Sequence, residues 1–164
     1  MAYLVCNAAP PLAGQPALLT FSEVRTLFHE FGHALQHMLT TEDEGMVAGI
    51  NCVEWDAVEL ASQFLENWCY HEPTLAGLAS HFETGATLPA EQRRALQRVR
   101  VYREGTATLR QLGFAWCDWE LHRVAEPDAA DEPLAVQQRV LARTNVLPPL
   151  PENRFLCSFS HIFA

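Results

Sequence analysis

The residues of this sequence best suited to chemistry are His29, Glu30 and His33, which stand in the run Phe-His-Glu-Phe-Gly-His-Ala-Leu-Gln-His over residues 28–37. On an α-helix, positions i and i+4 project from one face about one turn apart. Both imidazoles can therefore reach one tetrahedral zinc ion, each at about 2.0–2.1 Å. Glu30 then falls beside the metal rather than on it, where it can take a proton from a water that the metal activates. A catalytic site also needs a third protein ligand and an open fourth position. Glu59 is the candidate, because Asp56, Glu59 and Gln63 line one side of an otherwise apolar segment. A carboxylate so placed either faces solvent or meets a cation, and spacing alone leaves both open. Asp56 could hold a ligand imidazole by its outer N–H, and Glu54 competes for that role. His37 lies one turn beyond the pair; a fourth protein ligand would close the site, so it reads as a supporting or surface residue. His71, His81 and His122 lack ligand spacing and read as ordinary packing or surface histidines.

The pair must sit on a helix, and the pattern supplies one. Thr20 and Glu23 make a T-x-x-E capping box. Val24, Leu27, Phe28, Phe31, Leu35 and Met38 then recur at helical spacing, to an end near Thr40 and Thr41. Gly32 inside that helix costs about 1 kcal/mol against Ala, which implies a packing or functional reason. The spacing predicts a second helix over 53–70, capped by Asn51, with Trp55, Val58, Phe64, Leu65 and Trp68 as its apolar side. A short helix follows from Pro73 to Phe82. A long one runs over 89–124, where Gly105 can bend or divide it. After a loop over 127–133, a last helix is expected over 134–143. Residues 2–6 read as a short strand, and the apolar tail 155–164 has β character. The expectation is a mainly α fold with little sheet.

Composition bounds the partners. The 164 residues carry a formal charge of −9, which opposes nucleic-acid binding, since phosphate contact needs clustered Lys and Arg. It also opposes docking on an anionic membrane surface. No stretch approaches the length of a membrane span, and the N-terminus lacks the basic region of a signal peptide. The five cysteines include no CxxC pair, which fits unbridged thiols in a reducing cytosol.

Three segments, LFHEFGHALQHMLT, GINCVEWDAVELASQFLENWCY and ENRFLCSFSHIFA, carry a further signal. Together they resemble the thimet oligopeptidase/oligopeptidase A (M3) family of zinc metallopeptidases, especially its bacterial oligopeptidase A branch. The family pattern is HExxH followed by Glu after 25 intervening residues, the separation of His33 from Glu59 here. The resemblance implies that Glu59 is the third zinc ligand and that His161 contacts substrate. It implies a largely helical fold with zinc at the floor of a deep channel, and endo-cleavage of short peptides in the cytoplasm, cleaved signal peptides among them. Ala61 stands where the family usually has Pro, a mild change in a helix. The family continues past His161 into a Gly- and Tyr-rich loop whose tyrosines hydrogen-bond the substrate and the oxyanion.

These readings make residues 1–164 part of a catalytic, zinc-binding domain, with the rest of that domain and the channel wall outside the chain. The expected reaction is hydrolysis of short peptides, using one Zn²⁺ per chain and Glu30 as general base, weak or absent in this chain alone. The alternative is a non-catalytic metal- or peptide-binding helical module. Self-association through apolar surface is a related expectation, with Phe155, Leu156, Phe159, Ile162 and Phe163 as candidates.

Overall fold

The capping box predicted at Thr20 is made. In a computed structural model that describes residues 2–123 and 132–162, the Glu23 N–H donates to Thr20 Oγ1 at 3.3 Å, and Glu23 Oε2 accepts the Thr20 N–H at 2.7 Å. Helix α1 (Phe21–Met38) follows from that cap. The other oxygen of Glu23 accepts the Ala9 N–H at 2.9 Å, tying the N-terminal stretch to the start of α1. The strand expected over 2–6 is irregular chain instead. A strand needs a partner to accept its backbone hydrogen bonds, and the one β-bridge among the described residues joins Ser80 to Thr87.

The second helix starts later than its pattern suggests. Residues 54–59 form turns closed by short-range backbone bonds, such as Ala57 N–H to Glu54 O at 2.9 Å. Helix α2 (Leu60–Glu66) begins only then and tightens into a 3-10 turn at Asn67–Tyr70. Asn51 does not cap this helix, because α2 opens only at Leu60; its amide instead donates to the Gly45 carbonyl at 2.7 Å. Pro73 sits in the first turn of α3 (Glu72–Leu78), which ends earlier than expected. The long helix expected over 89–124 is two: α4 (Ala90–Arg100) and α5 (Glu104–His122). The break falls at Arg103, whose φ of 57° is left-handed, rather than at Gly105. Helix α6 (Pro133–Thr144) opens on its proline, with the Glu132 carboxylate accepting the Leu134 N–H at 3.2 Å. Most of the predicted 127–133 loop lies outside the described residues. The tail forms two 3-10 turns, Phe155–Cys157 and Ser160–Ile162, where β structure was expected.

The fold is mainly helical, as predicted, and divides into two compact units, Met1–Val99 and Arg100–Ala164. In the first, α1 packs on α2 through small side chains. A Cβ built on Gly32 would lie 2.6 Å from both the Ala61 carbonyl oxygen and Ser62 Cα, so the two backbones touch there and only glycine fits. Ala34, Ser62 and Cys69 are buried along the same seam. Of the side of the second segment read as apolar, Trp55, Phe64 and Trp68 face out, Trp55 at 79% exposed, while Val58 and Leu65 are half-buried. Helix α4 joins the first unit through an Arg93–Glu72 ion pair at 2.7 Å and a Gln97 amide bond to the Tyr70 carbonyl at 3.2 Å. The second unit has its core at Cys117, Val136, Val140 and Leu141, with Leu121, Phe155 and Leu156 packed against it. Gln137 is wholly buried there. It satisfies both ends of its amide, donating to the Asn153 carbonyl at 2.8 Å and accepting the Leu156 N–H at 3.1 Å. No helix among the described residues is long and apolar enough to cross a membrane.

Candidate metal centre

The seam between α1 and α2 sets the geometry of a three-residue cluster. Glu59 is the residue just before α2, and its Oε2 lies 3.1 Å from His29 Nε2 and 3.2 Å from His33 Nε2. The two imidazole rings stand nearly perpendicular, with centroids 5.0 Å apart. One ligand atom from each of His29, His33 and Glu59 falls within 4.8 Å of the others. Three lone pairs so close repel one another unless protons or a cation lie between them. Tetrahedral zinc with bonds of about 2.0–2.1 Å would separate its ligand atoms by about 3.3 Å. The donor set and its spacing fit that ion.

Two neighbours that the sequence did not single out hold the cluster in place. Ser62 is fully buried and its hydroxyl donates to Glu59 Oε2 at 2.6 Å. That hydrogen bond holds the Glu59 carboxyl below its ordinary range; partial burial works against it, and the two imidazoles add a further pull downward. Glu66 Oε1 lies 2.8 Å from His29 Nδ1. It occupies the place for which Asp56 and Glu54 were candidates, and those two lie exposed in the turns before α2. The reason is the helix start. With α2 beginning at Leu60, the residues that face α1 are Glu59, Ser62 and Glu66, not Asp56, Glu59 and Gln63. The usable signal was a second glutamate seven residues, two helical turns, after Glu59.

Glu30, next in the chain to His29, is half-buried and stands outside the three-atom cluster. His37 packs its ring against Gly49, whose φ of 63° and missing Cβ leave room for it. His161 lies in the second unit, exposed, with its ring 5.7 Å from that of Phe159. His71, His81 and His122 each bond locally, for instance His71 Nδ1 to Thr74 Oγ1 at 3.0 Å.

Comparison with known proteins supplies a family for this geometry. The profile of Peptidase family M3 matches residues 1–164. The chain is 59% identical over 164 residues to the organellar oligopeptidase A, chloroplastic/mitochondrial, of Arabidopsis thaliana, a match over 100% of this chain and 21% of the relative. It is 45% identical to oligopeptidase A of Escherichia coli (strain K12), over 100% of the chain and 24% of that protein. It is 34% identical to the dipeptidyl carboxypeptidase of the same strain, over 98% of the chain and 24% of the relative. The chain thus spans about a fifth to a quarter of the length of these relatives. With the match running through every residue, the chain belongs to peptidase family M3.

Proposed function

We propose that this chain carries the zinc centre of an endopeptidase acting on short peptides. The observation that carries the reading is the convergence of His29 Nε2 and His33 Nε2 on one oxygen of Glu59, at 3.1 and 3.2 Å. In this reading the three residues are the metal ligands and residues 1–164 are part of a catalytic domain. Zinc, when bound, supplies a Lewis acid that polarises a carbonyl and makes a water nucleophilic near neutral pH. Glu30 takes the proton of the attacking water as its oxygen bonds the carbonyl carbon. It then delivers a proton to the amine as the C–N bond breaks. His161 contacts the substrate. The five unbridged cysteines support a cytoplasmic location.

The Glu59 side chain is 48% exposed, so the cluster opens to water. Electrostatic stabilisation of a transition state weakens in such a setting. The chain alone is therefore expected to bind zinc and cleave short peptides weakly or not at all. Zinc content by plasma mass spectrometry, after dialysis in metal-free buffer, tests the centre. The expected result is about one zinc per chain, and a metal-free chain would overturn the reading.

A further inference from the structure

Both carboxylate oxygens of Glu66 are in use. Oε1 lies 2.8 Å from His29 Nδ1, and Oε2 lies 3.4 Å from Arg25 Nε. Arg25, His29 and His33 follow one another at four-residue intervals on α1, opposite Glu59, Ser62 and Glu66 at the α2 seam. An ionised carboxylate only accepts hydrogen bonds, so the proton of the His29–Glu66 bond belongs to Nδ1. A neutral imidazole carries a single ring proton. With that proton on Nδ1, Nε2 keeps its lone pair for a cation; Glu59 Oε2, 3.1 Å from Nε2, is the rival acceptor for that proton when no cation is present. His33 has no such brace. Its Nδ1 is buried with no hydrogen-bond partner among the described residues.

We infer that Glu66, braced by Arg25, is a positioning residue that fixes the Nδ1–H tautomer of His29 and so aims its Nε2 at a divalent cation. The consequence for affinity rests on the zinc reading above, whereas the tautomer does not. Outer partners of this kind typically change metal affinity by 10- to 100-fold when removed.

Two measurements on the 164-residue chain test this. Long-range ¹⁵N–¹H NMR of the metal-free protein, at a pH where imidazole is neutral, reports which ring nitrogen of His29 carries the proton. The parent is expected to show Nδ1–H, and Glu66→Ala to lose that preference. Competition against a chromogenic chelator should then give Glu66→Ala a zinc affinity about 10- to 100-fold weaker than the parent. Glu66→Gln keeps an acceptor oxygen without the charge and should fall between, which preserves the test if the alanine variant folds poorly. A merely structural role would lower the metal-free melting temperature and leave the tautomer unchanged. An Nε2–H tautomer in the parent, or parent-like zinc affinity in a folded Glu66→Ala, would overturn the inference. A parent chain that binds no zinc would instead remove the zinc reading, and the NMR result would still decide the role of Glu66.

Discussion

Glu59 is held from two sides, by a buried hydroxyl and by two imidazoles, and Glu30 takes no part in that arrangement. Ser62 fixes the oxygen that faces both histidines, while Glu30 stands apart from the cluster. Glu30→Gln should therefore leave zinc stoichiometry unchanged while lowering whatever peptide turnover the chain shows, by about 10²–10⁴-fold if Glu30 is the general base. Parallel metal analysis and a quenched-peptide assay check the two halves, and a glutamine variant that keeps its turnover would remove Glu30 from the mechanism. Thiol labelling gives a second residue-scale prediction. Burial pushes the Cys117 thiol up to about 11 and raises that of Cys69 as well. Both should resist a disulfide reagent at neutral pH, while the exposed Cys52 and Cys157 react at once. Fast labelling of all five would contradict the packing of both units. At this scale spacing alone pointed to His29 and His33 as neighbours on one helix face, and the family pattern singled out Glu59 as the residue that meets them. Ser62 and Glu66 stayed hidden because their part depends on where α2 begins, and helix starts without a side-chain cap leave little trace in sequence. Glu59 precedes α2 with no such cap.

Among the elements, α1 was the most legible, because its capping box and apolar repeat agree. Helix α2 was the least, since the turns over 54–59 share the composition of the helix that follows. The break before α5 was expected at Gly105 and falls just before it, because Arg103 rather than a glycine takes the left-handed conformation. Gly32 was flagged by its cost and is explained by packing. Gly32→Ala would drive a methyl into the Ala61–Ser62 backbone, with an expected loss of about 1–3 kcal/mol. Gly113→Ala is the control. Its new Cβ would meet the side chains of Thr144 and Leu141, which can shift, so its loss should be smaller. Urea unfolding midpoints decide, and equal losses would mean that the seam has more slack than its geometry implies. The α1 cap makes a pH prediction. The Ala9 N–H, then the Thr20 N–H and hydroxyl, hold the Glu23 carboxyl below its ordinary value of 4.5. A carboxyl lowered by folding adds stability that is fully present above its unfolded value and fades as pH falls through its folded one. The melting-temperature gap between the parent and Glu23→Gln should thus be open at neutral pH and close in acid. A gap independent of pH would remove Glu23 from the cap.

For the whole molecule, the apolar surface is distributed differently from expectation. Ile162 is buried, and Phe155, Leu156 and Phe159 are partly covered, while Phe163 lies outside the described residues. Met46, Trp55, Leu60 and Leu147 are instead each more than 70% exposed. Apolar side chains left in water favour association, so light scattering should show mass rising with concentration, and Trp55→Ser and Leu60→Ser should reduce it. A monomer at every concentration would show that these side chains do not meet. The mainly helical class was readable from the repeat of apolar positions, whereas the division into two units was not, because each unit is defined by long-range contacts. The α1–α2 seam has one more consequence. Its buried members, Gly32, Ala34, Ser62 and Cys69, are small and supply little apolar area, and such area is what ordinarily keeps two helices together. A cation shared across the seam would add about 2.7 kcal/mol at 100 times its dissociation constant. The persistence of this unit would then follow the supply of free metal. With metal scarce the helices would part more often, and proteases that act on opened chain would remove it sooner.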